Sequence, residues 1–246
     1  MDVVAGVDRL RAEHGPIFAV IGVFDGLHRG HAYLLEHLVR EARAREARAA
    51  VITFDHHPDE VLTGTAPPLL IHPDERLARF ASMGIEVTVV QHFDDAVRRT
   101  TYDDFIATIQ AGTELAGLLM TPDAAFGFER RGTPEAVAAL GRARGFDLVV
   151  VEPFVLDGTS VSSSAIRKAI GAGDLLTAER LLGRPVSLRG DARDGVVTFG
   201  WPLAMPPNGA YPCLVDGRLT SVSVQDGTVE VALPVEDGPI SLELTA

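Results

Sequence analysis

Apolar residues follow two rhythms along this chain, and the rhythm changes once. In the first two-thirds, short and nearly unbroken apolar runs alternate with stretches whose apolar residues recur every three or four positions. The runs Ile17–Phe24, Ala49–Phe54, Glu86–Phe93, Leu115–Pro122 and Asp147–Phe154 predict buried strands. The stretches Gly30–Ala47, Asp74–Gly84, Thr101–Gly112, Thr133–Phe146 and Ser162–Gly183 predict amphipathic helices. Thr133 and Pro134 read as the cap and first-turn residue of the fourth helical stretch. Strands alternating with helices imply parallel neighbours joined by right-handed crossovers, hence a doubly wound α/β sheet.

After "LLGRPV" the helical period disappears. Short strand-like runs replace it, "GVVTF", "AYPCLV", "LTSVSV", "TVEVALP" and "ISLELT", separated by turn signals such as "PPNG", "VDGR" and "QDGT". This texture predicts a small antiparallel β domain, a barrel or meander. The expected organisation is therefore an α/β domain over residues 1–185 and a β domain over 186–246.

Composition narrows the function classes. A hydrophobic fraction of 46% with 23% charged residues suits a globular protein with a substantial core. A formal charge of −12 argues against a nucleic-acid binder, which needs clustered Lys and Arg. It leaves room for small anionic ligands held by backbone amides at a helix start. Cys213 is the only cysteine, so no intramolecular disulfide forms, and a cytoplasmic location is expected. No run approaches the roughly 20 apolar residues of a membrane span, and the acidic start does not read as a signal peptide.

The chemistry-bearing residues gather where predicted strands end, which is where doubly wound sheets bind ligands. "GVFDGLHRGH", Gly22 to His31, closes the first strand and opens the first helix. A zinc centre needs three or four ligands. His28 and His31 find no third in their own segment, since His56 and His57 lie elsewhere and Cys213 is remote. Two readings then compete. One is a packed or capping pair. The other is a phosphate clamp, in which Gly26 and Gly30 let the backbone approach an anion and the helix-start amides attract it. Imidazoles placed there can donate to phosphate oxygens whose charge builds during a displacement. "VSSSAIR", Val161 to Arg167, offers serines that can cap a helix facing an anion, with Arg167 one turn in. The same residues also suit a plain capped helix with a surface arginine. Likewise His57 reads as a loop residue or a pocket wall, Phe126 as core or aromatic wall, and Arg131 as solvated surface.

In its full length, "GVFDGLHRGH" resembles the HxGH signature of the nucleotidyltransferase superfamily, in the form found in the flavin adenylyltransferase module of bacterial bifunctional riboflavin kinase/FAD synthetases. "TFDHHP" resembles that family's TFxPHP, with His56 in place of the first proline. "DAAFGFERRG" keeps Asp123, Phe126, Gly127, Arg130 and Gly132 of a third motif, and Ala124 replaces an aromatic residue. "VSSSAIR" resembles the second superfamily signature, with Ser164 in place of threonine. The likeness covers about residues 15–185.

The resemblance implies a Rossmann-like fold and transfer of an adenylyl group from ATP to FMN, giving FAD and pyrophosphate, with Mg²⁺ carried on the ATP. It implies that His28, His31, Arg167 and Asp123 act catalytically. Nucleotide contacts fall to Gly22, Phe24, Asp25, Gly26, Gly30, Ser162, Ser163, Ser164 and Arg130, with Asp25 mainly ordering its loop. Phe54, His57, Pro58 and Phe126 would contact the acceptor, and no protein-built metal cage is implied. The β domain faintly resembles a riboflavin kinase barrel. The kinase's Pro-Thr-Ala-Asn reads Pro202-Leu203-Ala204-Met205 here, and apolar side chains cannot hold Mg²⁺. Glu230 is a weak match to the kinase base. A kinase-dead remnant kept for packing, homo-oligomerisation or lid duty is expected, or else a β appendage of unrelated origin. Two other functions stay open: a nucleotidyltransferase with another acceptor or nucleotide, and a non-catalytic flavin or nucleotide sensor.

Overall fold

A computed structural model describes residues 1–245. The chain forms two compact units. The first comprises Met1–Phe24, His31–Pro67 and Leu77–Phe154; the second comprises Asp25–Gly30, Pro68–Arg76 and Val155 onward.

The first unit is built on six parallel strands: β1 (Asp2–Ala5), β2 (Ile17–Ile21), β3 (Arg48–Phe54), β4 (Val87–Gln91), β5 (Leu115–Met120) and β6 (Asp147–Val150). Their order is β1-β4-β3-β2-β5-β6, every neighbouring pair parallel. Helices α1 (Arg29–Ala44), α2 (Pro58–Thr63), α3 (Pro73–Ser82), α4 (Asp95–Arg99), α5 (Tyr102–Gly112) and α6 (Pro134–Arg144) fall between them along the chain. The doubly wound sheet expected from the alternating runs is therefore present. In β3 the five residues Ala49–Thr53 are all buried, as a strand covered on both faces requires. Ile17, Ala19, Ala50, Ile52, Val87, Val89 and Leu118 pack with Ile106, Ile109 and Val137 from α5 and α6. The Thr133 hydroxyl caps α6 by accepting from the Ala136 amide at 3.4 Å, with Pro134 in the first turn.

The second unit holds the hairpin β7 (Val155–Leu156) and β8 (Thr159–Ser160), then α7 (Ser163–Gly171) and α8 (Leu175–Leu182). A closed barrel comes next, built from β9 (Val186–Arg193), β10 (Val196–Thr198), β11 (Gly209–Val215), β12 (Arg218–Gln225), β13 (Thr228–Val231) and β14 (Gly238–Leu244). The strands run antiparallel in the order β10-β13-β12-β11-β14-β9, closed by the pairing of β9 with β10. Side chains alternate in and out: Val222, Val224, Val229, Val231, Leu242 and Leu244 are buried, and their neighbours in the chain face solvent.

The barrel strands begin at Val186, where the sequence texture changes, but compactness divides the chain elsewhere. Segment 68–76 is hydrogen-bonded to the barrel, and segment 25–30 is tied through Asp25 to Leu70 and α7. Leu69 and Leu203 form a parallel bridge, with amide contacts of 2.7 and 2.8 Å to Pro202 and from Ala204. The Ser187 hydroxyl donates to the Glu75 carboxylate at 2.9 Å. A boundary drawn along the sequence cannot register such long-range pairings. Among the described residues, no helix is long and apolar enough to cross a membrane.

Candidate active site

Strand order in the first unit reverses at β2, which pairs with β3 on one side and β5 on the other. At the C-terminal ends of these strands opens a cavity of about 890 Å³, lined by Val20–Gly22, Leu118–Thr121 and the loops that follow. This is the crevice where doubly wound sheets receive ligands, and its volume suits a sizeable small molecule. Of the residues singled out in the sequence, Gly22, His31, Phe54, His57, Pro58, Asp123, Phe126 and Arg130 line it.

Local structure sets each of these side chains. His31 lies in the first turn of α1 and meets Phe24 edge-on, ring centres 5.2 Å apart. Phe54 meets Phe93 edge-on at 5.2 Å, and Phe126 meets Phe105 at 6.2 Å, giving aromatic walls with fixed orientation. His57 also caps α2, its Nδ1 accepting from the Asp59 amide at 3.2 Å. Asp123 accepts from the Thr121 hydroxyl at 2.7 Å. The loop carrying Phe126 and Arg130 is tightly constrained. Gly127 has φ +75°, and a Cβ there would lie 2.5 Å from the Tyr102 amide nitrogen. Glu129 and Arg130 also take φ values of 54° and 55°, which non-glycine residues rarely adopt. Arg131, paired with Glu129, is mostly exposed.

The second unit gathers the other half of the sequence motifs. The boundary between the units crosses "GVFDGLHRGH" twice, between Phe24 and Asp25 and again between Gly30 and His31. Asp25 is 3% exposed; its carboxylate accepts from the Leu70 amide at 2.9 Å and is ion-paired with Arg167. Arg167 also donates through Nε to the Pro68 carbonyl at 2.7 Å. The serine run divides its work. Ser162 caps α7 by accepting from the Ala165 amide at 3.2 Å, Ser163 donates to the Asp25 carbonyl at 3.0 Å, and Ser164 is exposed. Gly26 has φ +82°, and a Cβ on it would crowd Leu70 at 3.0 Å. A Cβ on Gly30 would sit 3.2 Å from the His28 ring.

His28 is 5% exposed. Burial first, and then the nearby Arg184 cation, push its pKa down to about 4. The imidazole is therefore neutral at pH 7. A neutral imidazole offers one hydrogen-bond donor and one acceptor. Arg184, whose guanidinium nitrogens are shielded from solvent, was not legible in the sequence, where it simply follows the helix-ending Gly183. Arg98, Thr100 and Phe93 of the cavity lining carry no sequence signal either, because they sit on or beside the short helix α4.

Magnesium takes oxygen ligands in number. The cavity's carboxylates, Asp59, Asp123 and Glu129, are not gathered into a group of three potential ligands among the described residues.

Residues 10–165 match the family model described as FAD synthetase. A bifunctional riboflavin kinase/FMN adenylyltransferase from Pseudomonas fluorescens is 32% identical over 196 residues, 79% of this chain and 63% of that protein. The Escherichia coli K12 protein of the same description is 32% identical over 213 residues, 84% of this chain and 68% of that one. The chain thus spans about two-thirds of the length of these relatives. A crystal structure described as a macrolide-efflux protein from Streptococcus pneumoniae superposes with a TM-score of 0.81 at 22% identity, over 99% of this chain and 88% of that one. That likeness is one of fold. With the family model matched over more than half its length, the chain belongs to the FAD synthetase family, whose members are nucleotidyltransferases.

Proposed function

We propose that this protein transfers the adenylyl group of MgATP to the phosphate of FMN, giving FAD and pyrophosphate. The observation that carries the reading is the cavity at the β2/β5 switch point, where aromatic walls meet an imidazole at a helix start. A flat tricyclic acceptor suits walls made by Phe54 and Phe126, with His57 and Pro58 completing the rim. The relatives' description as FMN adenylyltransferases supports the same acceptor.

An FMN phosphate oxygen attacks the α-phosphorus of ATP, and the bond to the bridging oxygen breaks as pyrophosphate leaves. The phosphate is already an anion at neutral pH, so no protein nucleophile or strong base is needed. Catalysis then rests on holding the two phosphates in line and stabilising charge on the α-phosphate and the leaving group. His31, at the start of α1, donates to the phosphates beside the helix-start amides. Arg130 supplies a cation at the cavity, and Asp123 orients the magnesium-bound phosphates. His28, neutral, donates a hydrogen bond rather than a charge. Gly22 allows close backbone approach and Phe24 holds His31 in place; within the second unit Gly26 and Gly30 leave the motif loop open to an anion, and Ser162, Ser163 and Ser164 order the start of α7 as nucleotide contacts. For Arg167 the ion pair with Asp25 favours a supporting role: it fixes the motif loop and contacts phosphate only through its remaining N–H groups.

Riboflavin kinase activity is not part of the proposal. Pro202–Ala204 spend their backbone on the bridge to Leu69, and Glu230 is exposed on β13 between the buried Val229 and Val231. Incubation with Mg²⁺, each NTP and FMN, followed by chromatography of FAD and assay of pyrophosphate, tests the reading. FAD from ATP is expected, with His31→Ala lowering turnover about 10²–10³-fold at nearly unchanged stability. Pyrophosphate released only with another acceptor would favour a specialised nucleotidyltransferase, and flavin binding without turnover a sensor. Riboflavin with ATP should give no FMN.

A further inference from the structure

We propose that Asp55, His56 and His92 form a binding site for a divalent transition metal of the zinc class. Asp55 and His56 follow β3 and His92 follows β4, two strands paired side by side, so the ladder brings the three residues together. The His92 Nδ1 lies 2.6 Å from one Asp55 carboxylate oxygen and the His56 Nδ1 3.2 Å from the other. One ligand atom from each residue lies within 4.8 Å of the other two. A tetrahedral ion with bonds of about 2.0–2.1 Å holds its ligand atoms roughly 3.3 Å apart, so the side chains rotate to open the 2.6 Å contact between His92 and Asp55 as the ion enters.

The donor chemistry selects the metal. Two imidazoles and one carboxylate suit zinc and its neighbours, whereas magnesium and calcium require mostly oxygen. The carboxylate is held in place from behind, accepting from the His56 and Phe93 amides at 2.8 and 3.2 Å, the kind of support that orients metal ligands. Both imidazoles are substantially exposed, which leaves one side open for water to complete the coordination.

None of the three ligands lines the large cavity, yet their chain neighbours Phe54, His57 and Phe93 do. A metal bound here ties the loop after β3 to the loop after β4 from the outer side, and fixes the Phe54–Phe93 pair that walls the cavity. The consequence for acceptor binding rests on the proposed function; the metal site itself does not.

The test is titration of the full chain with Zn²⁺ against a chromophoric chelator, with Co²⁺ absorption as a second readout. One ion per chain is expected, with a tetrahedral Co²⁺ spectrum. His92→Ala and His56→Ala should each weaken binding about tenfold or more, since even the loss of an outer-shell partner costs about 10–100-fold. Both positions are exposed, so the variants fold, which circular dichroism verifies. His37→Ala, on α1 beside Arg40, should bind as the parent does. Absence of saturable binding by the parent, or equal affinity in the parent and both ligand variants, would overturn the site.

Discussion

The sheet unit and the barrel unit solve the burial problem differently, and the difference decides where chemistry sits. Strand β3 buries consecutive residues because it is covered on both faces, so only its ends are free to carry function. Strand β12 alternates buried and exposed residues over its second half, and its small barrel is filled by Val222, Val224 and their cross-strand partners. The first unit therefore collects aromatic and polar side chains at strand ends around a cavity. In the second unit the chemistry-bearing residues lie in α7 and in two short segments recruited from earlier in the chain, not in the barrel wall.

The largest expected effect comes from the recruited segment. Arg167→Ala leaves the buried Asp25 carboxylate without its cation and should destabilise the protein by about 3–5 kcal/mol. Denaturant melts of Arg167→Ala and of the Asp25→Asn/Arg167→Met double variant check this, because the pair of changes should restore much of the loss. A full loss in the double variant would mean that the pair does more than neutralise itself.

The contrast between the two strand rhythms comes next. Val51→Ala and Ile52→Ala, adjacent in β3, should each cost about 2 kcal/mol or more. In β12, Val224→Ala should cost a comparable amount, while Ser223→Ala, which faces solvent, should stay within about 0.5 kcal/mol. Equal costs at Ser223 and Val224 would break the comparison.

His28 supplies a pH test of similar size. Its folded pKa of about 4 lies below the ordinary value of 6.5, so the unfolded chain binds more protons between these pH values. Stability from this group is complete above about pH 6.5, falls as pH drops toward 4 and levels off below. The loss is on the order of 3 kcal/mol. His28→Asn should remove that part of the pH dependence in melts from pH 7 to 4. The smallest effect belongs to the barrel surface: Glu230→Gln should change stability by less than about 0.5 kcal/mol and leave FAD formation untouched.

Much of this was legible in the sequence. The periods of apolar residues separate the parallel sheet from the barrel because burial on two faces and on one face write different patterns. Phe54, His57, Phe126 and His31, singled out because strand ends are where such sheets bind, line the cavity. Other features left no periodic trace. Strand β1 is four residues long with only Val4 buried, and α2 and α4 are too short for a helical rhythm. The Asp25–Arg167 pair joins residues 142 positions apart, so the sequence shows two separate charges and not the ion pair that the fold makes of them. The depressed His28 pKa likewise depends on burial and on Arg184, neither of which one segment can announce.

One consequence concerns self-association. Closure leaves the barrel without an unpaired strand edge onto which another chain could add. The parallel sheet has two such edges, β1 and β6, and these are its shortest strands, four residues each. Each carries an aspartate held by an arginine from elsewhere in the unit, Asp2 by Arg48 at 2.7 Å and Asp147 by Arg45 at 3.0 Å. Short length and fixed charge at the sheet's two open borders are the features that oppose edge-to-edge aggregation.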